Sequence, residues 1–116
     1  MKVAKYVALI FGDEDVWLNS DEATTSAILS EYGRFHEEYG RHLVGSGQLK
    51  PNSTAKLIRT TGDEYTVTDG AFGETKEALG GYYVIEADDE ATALEIAKHV
   101  PAPGGFVELR PLVDLG

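Results

Sequence analysis

The chain has no cysteine. That excludes disulfide scaffolding, thiolate nucleophiles and cysteine-ligated metals, and it suits a reducing compartment. Positive charge is also scarce. Ten Lys and Arg stand against 20 Asp and Glu, a formal net charge of −10. Such a surface repels phosphate backbones and anionic headgroups, so direct nucleic-acid binding or membrane association through a basic face is disfavoured. A long apolar run is missing too. The opening stretch from Val3 to Phe11 stops at Gly12-Asp13, too short to span a bilayer, and it lacks the small-residue cleavage site of a signal peptide. A soluble, cytoplasmic protein is the expectation.

What is present suits one domain over residues 1–116, with 42% apolar residues for a core. No repeat, low-complexity tract or linker interrupts it. Val3 to Phe11 is almost wholly apolar and reads as a strand buried on both faces. After the break at Gly12-Asp13-Glu14-Asp15, Val16-Trp17-Leu18 forms a small apolar plug. Asn19 or Ser20, with Glu22 three residues after Asn19, predicts a capped helix start. A long helix follows over residues 21–44, with the stripe Ile28, Tyr32, Phe35, Tyr39, Leu43, stopped by Gly45-Ser46-Gly47. Gly33 and Gly40 inside it suggest close packing or a shorter helix. Residues 54–61 and 64–68 alternate around Gly62-Asp63 and predict a hairpin. Residues 81–87 predict a strand, residues 90–99 a helix capped by Asp88 or Asp89, and residues 106–110 a last strand. The order is β-α-β-β-β-α-β. Without one hairpin strand it is the βαββαβ order of a ferredoxin-like α+β fold. Helices would cover one face of the antiparallel sheet. The other face is apolar enough to call for a second subunit.

The segment Thr68-Asp69-Gly70-Ala71-Phe72-Gly73-Glu74-Thr75-Lys76-Glu77, running on to Gly80-Gly81-Tyr82-Tyr83, is longer and chemically denser than an ordinary connection. Asp69, Gly70, Phe72, Glu74, Thr75, Lys76 and Glu77 match the signature Asp-Gly-Pro-Phe-Ala-Glu-Thr-Lys-Glu. Residues 6–14 with Trp17, residues 80–85 and residues 105–111 match further blocks. On these residues the chain resembles the DGPF branch of the YCII-related domain proteins. The resemblance implies a ferredoxin-like domain that dimerises into an α/β barrel; the element order adds an extra strand to it. Ala71 and Gly73 depart from the signature, and the missing proline loosens the loop. Related proteins carry a His on the first helix and an Asp near the end of the second, proposed as an active pair. His36 falls at the matching helix position, but Val100 stands where the Asp would be. Asp69 is the substitute candidate.

Each candidate has a plain structural alternative. His36 lies at the edge of the helix stripe, fit for acid–base work or for a hydrogen-bonded place beside tyrosines. Asp69 before Gly70 either caps a turn or orients His36. Glu74 and Lys76 form a surface ion pair, or Lys76 holds a ligand carboxylate. Tyr82 and Tyr83 lie on opposite strand faces, so one faces the barrel interior or an interface, and Tyr82 is a candidate ligand contact. Arg59 either is solvated or meets an anionic ligand. His36 and His42 are about 120° apart round a helix. No zinc, calcium, phosphate-loop or nucleophile-elbow spacing occurs, so no metal or cofactor is expected. The functional expectation is a homodimer whose cavity holds a small molecule and performs a lyase- or isomerase-like proton transfer. The rival is a non-catalytic module associated with transcription initiation, binding a sigma factor or polymerase.

Overall fold

A computed structural model describes residues 3–70 and 77–115. The first strand, β1 (Ala4–Gly12), buries Tyr6, Ala8, Ile10 and Gly12 on one face and leaves Val7, Leu9 and Phe11 half-buried on the other. The side-chain alternation of a strand does this directly. The expected burial on both faces is realised on one only within the chain. Next comes α1 (Glu14–Leu18), a single short helix where a plug was expected; its N-cap Asp13 accepts from the Asp15 amide at 2.9 Å.

The long helix is α2 (Glu22–Tyr39). It starts later than the Asn19 capping pattern suggests, because Asp21 is the cap and accepts from the Thr24 amide at 2.7 Å. It also ends at Tyr39, five residues before Val44, and a tight turn (Gly40–His42) leads into β2 (Leu43–Gln48). The expected helix stop at Gly45-Ser46-Gly47 is therefore a strand. Its glycines have a packing reason: a Cβ at Gly47 would stand 2.7 Å from the Tyr82 ring, and one at Gly45 3.3 Å from Val84. Side chains of the neighbouring strand occupy the space above β2. Gly33, by contrast, has nothing within 4 Å of a built Cβ, so close packing does not explain it.

The hairpin is β3 (Lys56–Thr61) and β4 (Glu64–Asp69), turned by Gly62 at φ 63°. A non-glycine residue rarely holds that conformation. The last elements are β5 (Ala78–Ala87), α3 (Glu90–Ala97), capped by Asp89, and β6 (Phe106–Pro111). The main sheet is wholly antiparallel with the order β2-β5-β1-β6, compatible with a ferredoxin-like arrangement. The hairpin forms a separate two-stranded sheet. So the hairpin is not an extra strand of the main sheet; both its strands are an insertion, and β2 supplies the missing member.

Both helices lie on the face carrying Tyr6, Ala8, Ile10, Tyr83 and Ile85, and the core joins these to Phe35, Ala93, Ile96 and Val100. Val100, at the end of α3, is buried where the resemblance would have an Asp. Among the described residues no helix lies over the opposite face. The molecule is a slab of 45 × 44 × 16 Å, with a radius of gyration of 16.4 Å. A compact chain of this length would give about 13 Å. The projecting hairpin accounts for the difference, since nearly all its residues are exposed.

Candidate functional site

Phe35 is the one buried side chain of α2. It packs against Tyr83 with ring centroids 5.2 Å apart and against Tyr39 at 5.5 Å, pinning the C-terminal half of the helix to the sheet. The N-terminal half has no such anchor. There Ile28 is half-buried and Leu29 is 65% exposed. Beneath them the sheet offers glycines: Gly47 on β2, and Gly80 and Gly81 on β5. A long helix held at one end over a glycine-paved sheet leaves a gap. That gap is a cleft of about 400 Å³ between α2 and β2, β5 and β1, with Trp17 of α1 also in its lining. Its size is near the lower end for small-molecule sites.

His36 and Tyr83 meet on its wall. His36 Nε2 and Tyr83 Oη are 2.7 Å apart. The two residues belong to different elements, so the pair depends on the docking of α2 by Phe35. Burial raises the Tyr83 phenol above its ordinary pKa, so it stays protonated at neutral pH. Tyr32, also on the cleft, donates its hydroxyl to the Pro101 carbonyl at 2.8 Å, which tethers α2 to the end of α3. Thr25, Ser46, Gln48, Tyr82 and Trp17 are the further residues with polar side-chain groups that line the cleft, and no Asp, Glu, Lys or Arg lines it among the described residues.

The remaining sequence candidates fall elsewhere or only partly here. Tyr82 lines the cleft and is 36% exposed. Asp69 ends β4 and forms an ion pair with Lys56, its carboxylate largely in solvent. It is not among the residues around His36; Tyr83 holds the place beside the imidazole that the sequence reading offered to Asp69. Arg59 is exposed on β3, away from the cleft lining. Glu74 and Lys76 lie outside the described residues. His42 Nδ1 faces the Glu86 carbonyl at 3.1 Å, and His99 stacks on Tyr39 at 5.3 Å. Among the described residues no three His, Asp or Glu gather as metal ligands, and no helix is long and apolar enough to cross a membrane.

Sequence reasoning placed His36 on the helix edge but did not pair it with Tyr83. The available signal was the Tyr82-Tyr83 dipeptide on a strand: one ring had to point toward the helices, and the register fixes Tyr83 as that one.

The pattern describing the YCII-related domain matches residues 4–115. An uncharacterised protein of Rhizobium meliloti (strain 1021) is 33% identical over 114 residues, covering 92% of this chain and 90% of its own length.

Proposed function

The chain belongs to the YCII-related domain family, and on that premise we propose that it is a DGPF-branch enzyme moving a proton on a small organic molecule held in the α2 cleft. The observation that carries this reading is the 2.7 Å contact between His36 Nε2 and Tyr83 Oη on the cleft wall. The His36 imidazole accepts a proton from the substrate, and Tyr83 holds the ring in place through its hydroxyl. Return of the proton to a neighbouring atom gives an isomerisation. Departure of a leaving group with its bonding pair from the adjacent carbon gives an elimination. Among the described residues the lining carries no Lys or Arg, which favours neutral or singly charged substrates over dianions.

The open sheet face supports a homodimer. Val7, Leu9, Phe11, Val84 and Phe106 share that face by register, and Phe11 stacks on Phe106 at 5.0 Å. A second copy laid sheet to sheet would bury it and make a dimeric α/β barrel. The whole chain then acts as one domain of a cytoplasmic homodimer.

The test is turnover by wild type, His36→Ala and Tyr83→Phe over a panel of small hydroxylated and carbonyl compounds. His36→Ala is expected to abolish activity, and Tyr83→Phe to lower it by about 10²-fold, within the range for acid–base groups. Equal inertness of all three across the panel would sink the enzyme reading.

One observation favours a second reading, a protein-binding module. Ile58, Val67 and Tyr65 are 67%, 59% and 73% exposed on one face of the hairpin, on a chain of net charge −10. A basic partner such as a sigma factor or polymerase subunit would suit that surface. Retention of such a partner by wild type, lost on Ile58→Ser/Val67→Ser, would favour this reading over the first.

A further inference from the structure

A second chamber adjoins the cleft. It too measures about 400 Å³, and Glu14, Leu18, Leu49, Lys50 and Pro51 form its outer walls. Trp17, Gln48 and Gly80 belong to both chambers. Trp17 is the sole tryptophan of the chain. Its indole lies so close to Gly80 that a Cβ built there would stand 1.9 Å from Cη2 and 2.0 Å from Cζ3. At the boundary between the chambers the Trp17 ring rests on the bare Gly80 backbone, with Gln48 beside them in both linings. The ring is carried by α1, a five-residue helix with no buried residue.

We propose that Trp17 is the specificity-determining partition of this site: its indole closes the cleft at the Gly80 end and sets the length of the molecule accepted. The inference rests on the cleft being a small-molecule site, as read above. The two chambers differ in chemistry. The first has an apolar and aromatic lining with its polar pair at His36 and Tyr83. The second carries the charged Glu14 and Lys50, and Glu14 already accepts from the Asn52 amide at 2.6 Å. With Trp17 in place the occupant is a compact apolar body with one hydrogen-bonding head at His36–Tyr83. Without the indole the same head carries a tail onward between Gln48 and Gly80 toward Lys50.

The experiment is a series of 4-alkylphenols, methyl to octyl, titrated by calorimetry and ligand-observed NMR into wild type, Trp17→Ala and Trp17→Phe. Each methylene that finds apolar cover should tighten binding about fourfold. In wild type the gain is expected to stop once the tail meets the indole. At that tail length the emission of Trp17 should shift and become shielded from acrylamide. In Trp17→Ala the gain continues, leaving the octyl compound at least tenfold tighter than on wild type; Trp17→Phe moves the break to a tail of intermediate length. A break at the same tail length in all three proteins overturns the partition while leaving the cleft intact. Failure of every member to bind any of them overturns the cleft reading and the partition with it. Should Trp17→Ala not fold, the wild-type and Trp17→Phe series decide alone. A wild-type series that tightens up to octyl without a break overturns the inference.

Discussion

Tyr32 shows most directly how burial sets chemistry in this protein. Its phenol is pushed up to about 12 from an ordinary 10.0, chiefly by burial, with Tyr83 and Glu31 adding to the shift. A raised phenol pKa means that the folded state favours the neutral form. The associated stability is thus complete below about pH 10 and is lost as pH climbs from there through about 12. Tyr32→Phe removes this titration along with the hydroxyl that bonds Pro101. At pH 7 the variant should be less stable by about 1 kcal/mol, the usual worth of one such bond. Between pH 10 and 12 it should lose less stability than wild type. Denaturant unfolding at a series of pH values measures both, and parallel losses in the two proteins would remove burial of Tyr32 as the cause. Tyr83 shares the direction of shift, for the same reason. That keeps it a hydrogen-bonding phenol beside His36 rather than a competing base. The caps Asp21 and Asp89 shift oppositely, because each carboxylate accepts hydrogen bonds from Thr24 and Thr92, so their contribution is present at neutral pH and lost on acidification below about 4.

The contrast between the two halves of α2 governs the cleft at the scale of elements. Phe35 is 3% exposed, and its ring is the helix's anchor. Phe35→Ala should cost about 3–5 kcal/mol, as large-to-small changes in a packed core do, and should loosen the His36–Tyr83 contact with it. Leu29→Ala, on the unanchored half, should leave stability nearly unchanged while widening the cleft. Thermal unfolding of the two variants separates the cases. Much of this architecture was legible in the chain. The apolar run of β1, the Gly62-Asp63 turn and the Asp89 cap each follow from local chemistry. β2 was not legible, because Gly45-Ser46-Gly47 reads as a helix stop on local terms. Its strand character comes from pairing with β5, where Val84 and Tyr82 lie over the two glycines. The hairpin was read correctly as a hairpin, yet its separation from the main sheet depends on β2 having taken the place beside β5. The same long-range register explains the site. His36 could be flagged from helix geometry, but Tyr83 lies 47 residues away in sequence. Only the docked sheet shows that its hydroxyl, rather than the Asp69 carboxylate, meets the imidazole.

For the whole molecule, shape and charge act in opposite directions. A slab only 16 Å thick, with helices on one face, leaves the other face of its sheet half-covered. Its apolar residues favour pairing with a second copy, while two bodies of charge −10 repel each other. Self-association should therefore strengthen with salt. Raising ionic strength from about 0.01 M to about 0.1 M shortens the screening length from about 30 Å to about 10 Å, and the dimer should tighten several-fold over that range in sedimentation equilibrium. Leu9→Glu, which puts a charge in the middle of the face, should yield a monomer at concentrations where wild type is dimeric. A monomeric wild type at high salt would leave the open face without the proposed twofold cover.

The contact between Trp17 and Gly80 also bears on descent. No side chain at position 80 can coexist with the indole in its present seat. The two sites therefore form one heritable unit despite their separation along the chain. A lineage that gains even a methyl at position 80 must first, or at the same step, surrender the tryptophan. Among descendants one combination should then be missing, an indole at position 17 together with a side chain at position 80, while a bare position 80 can accompany either an indole or a smaller residue.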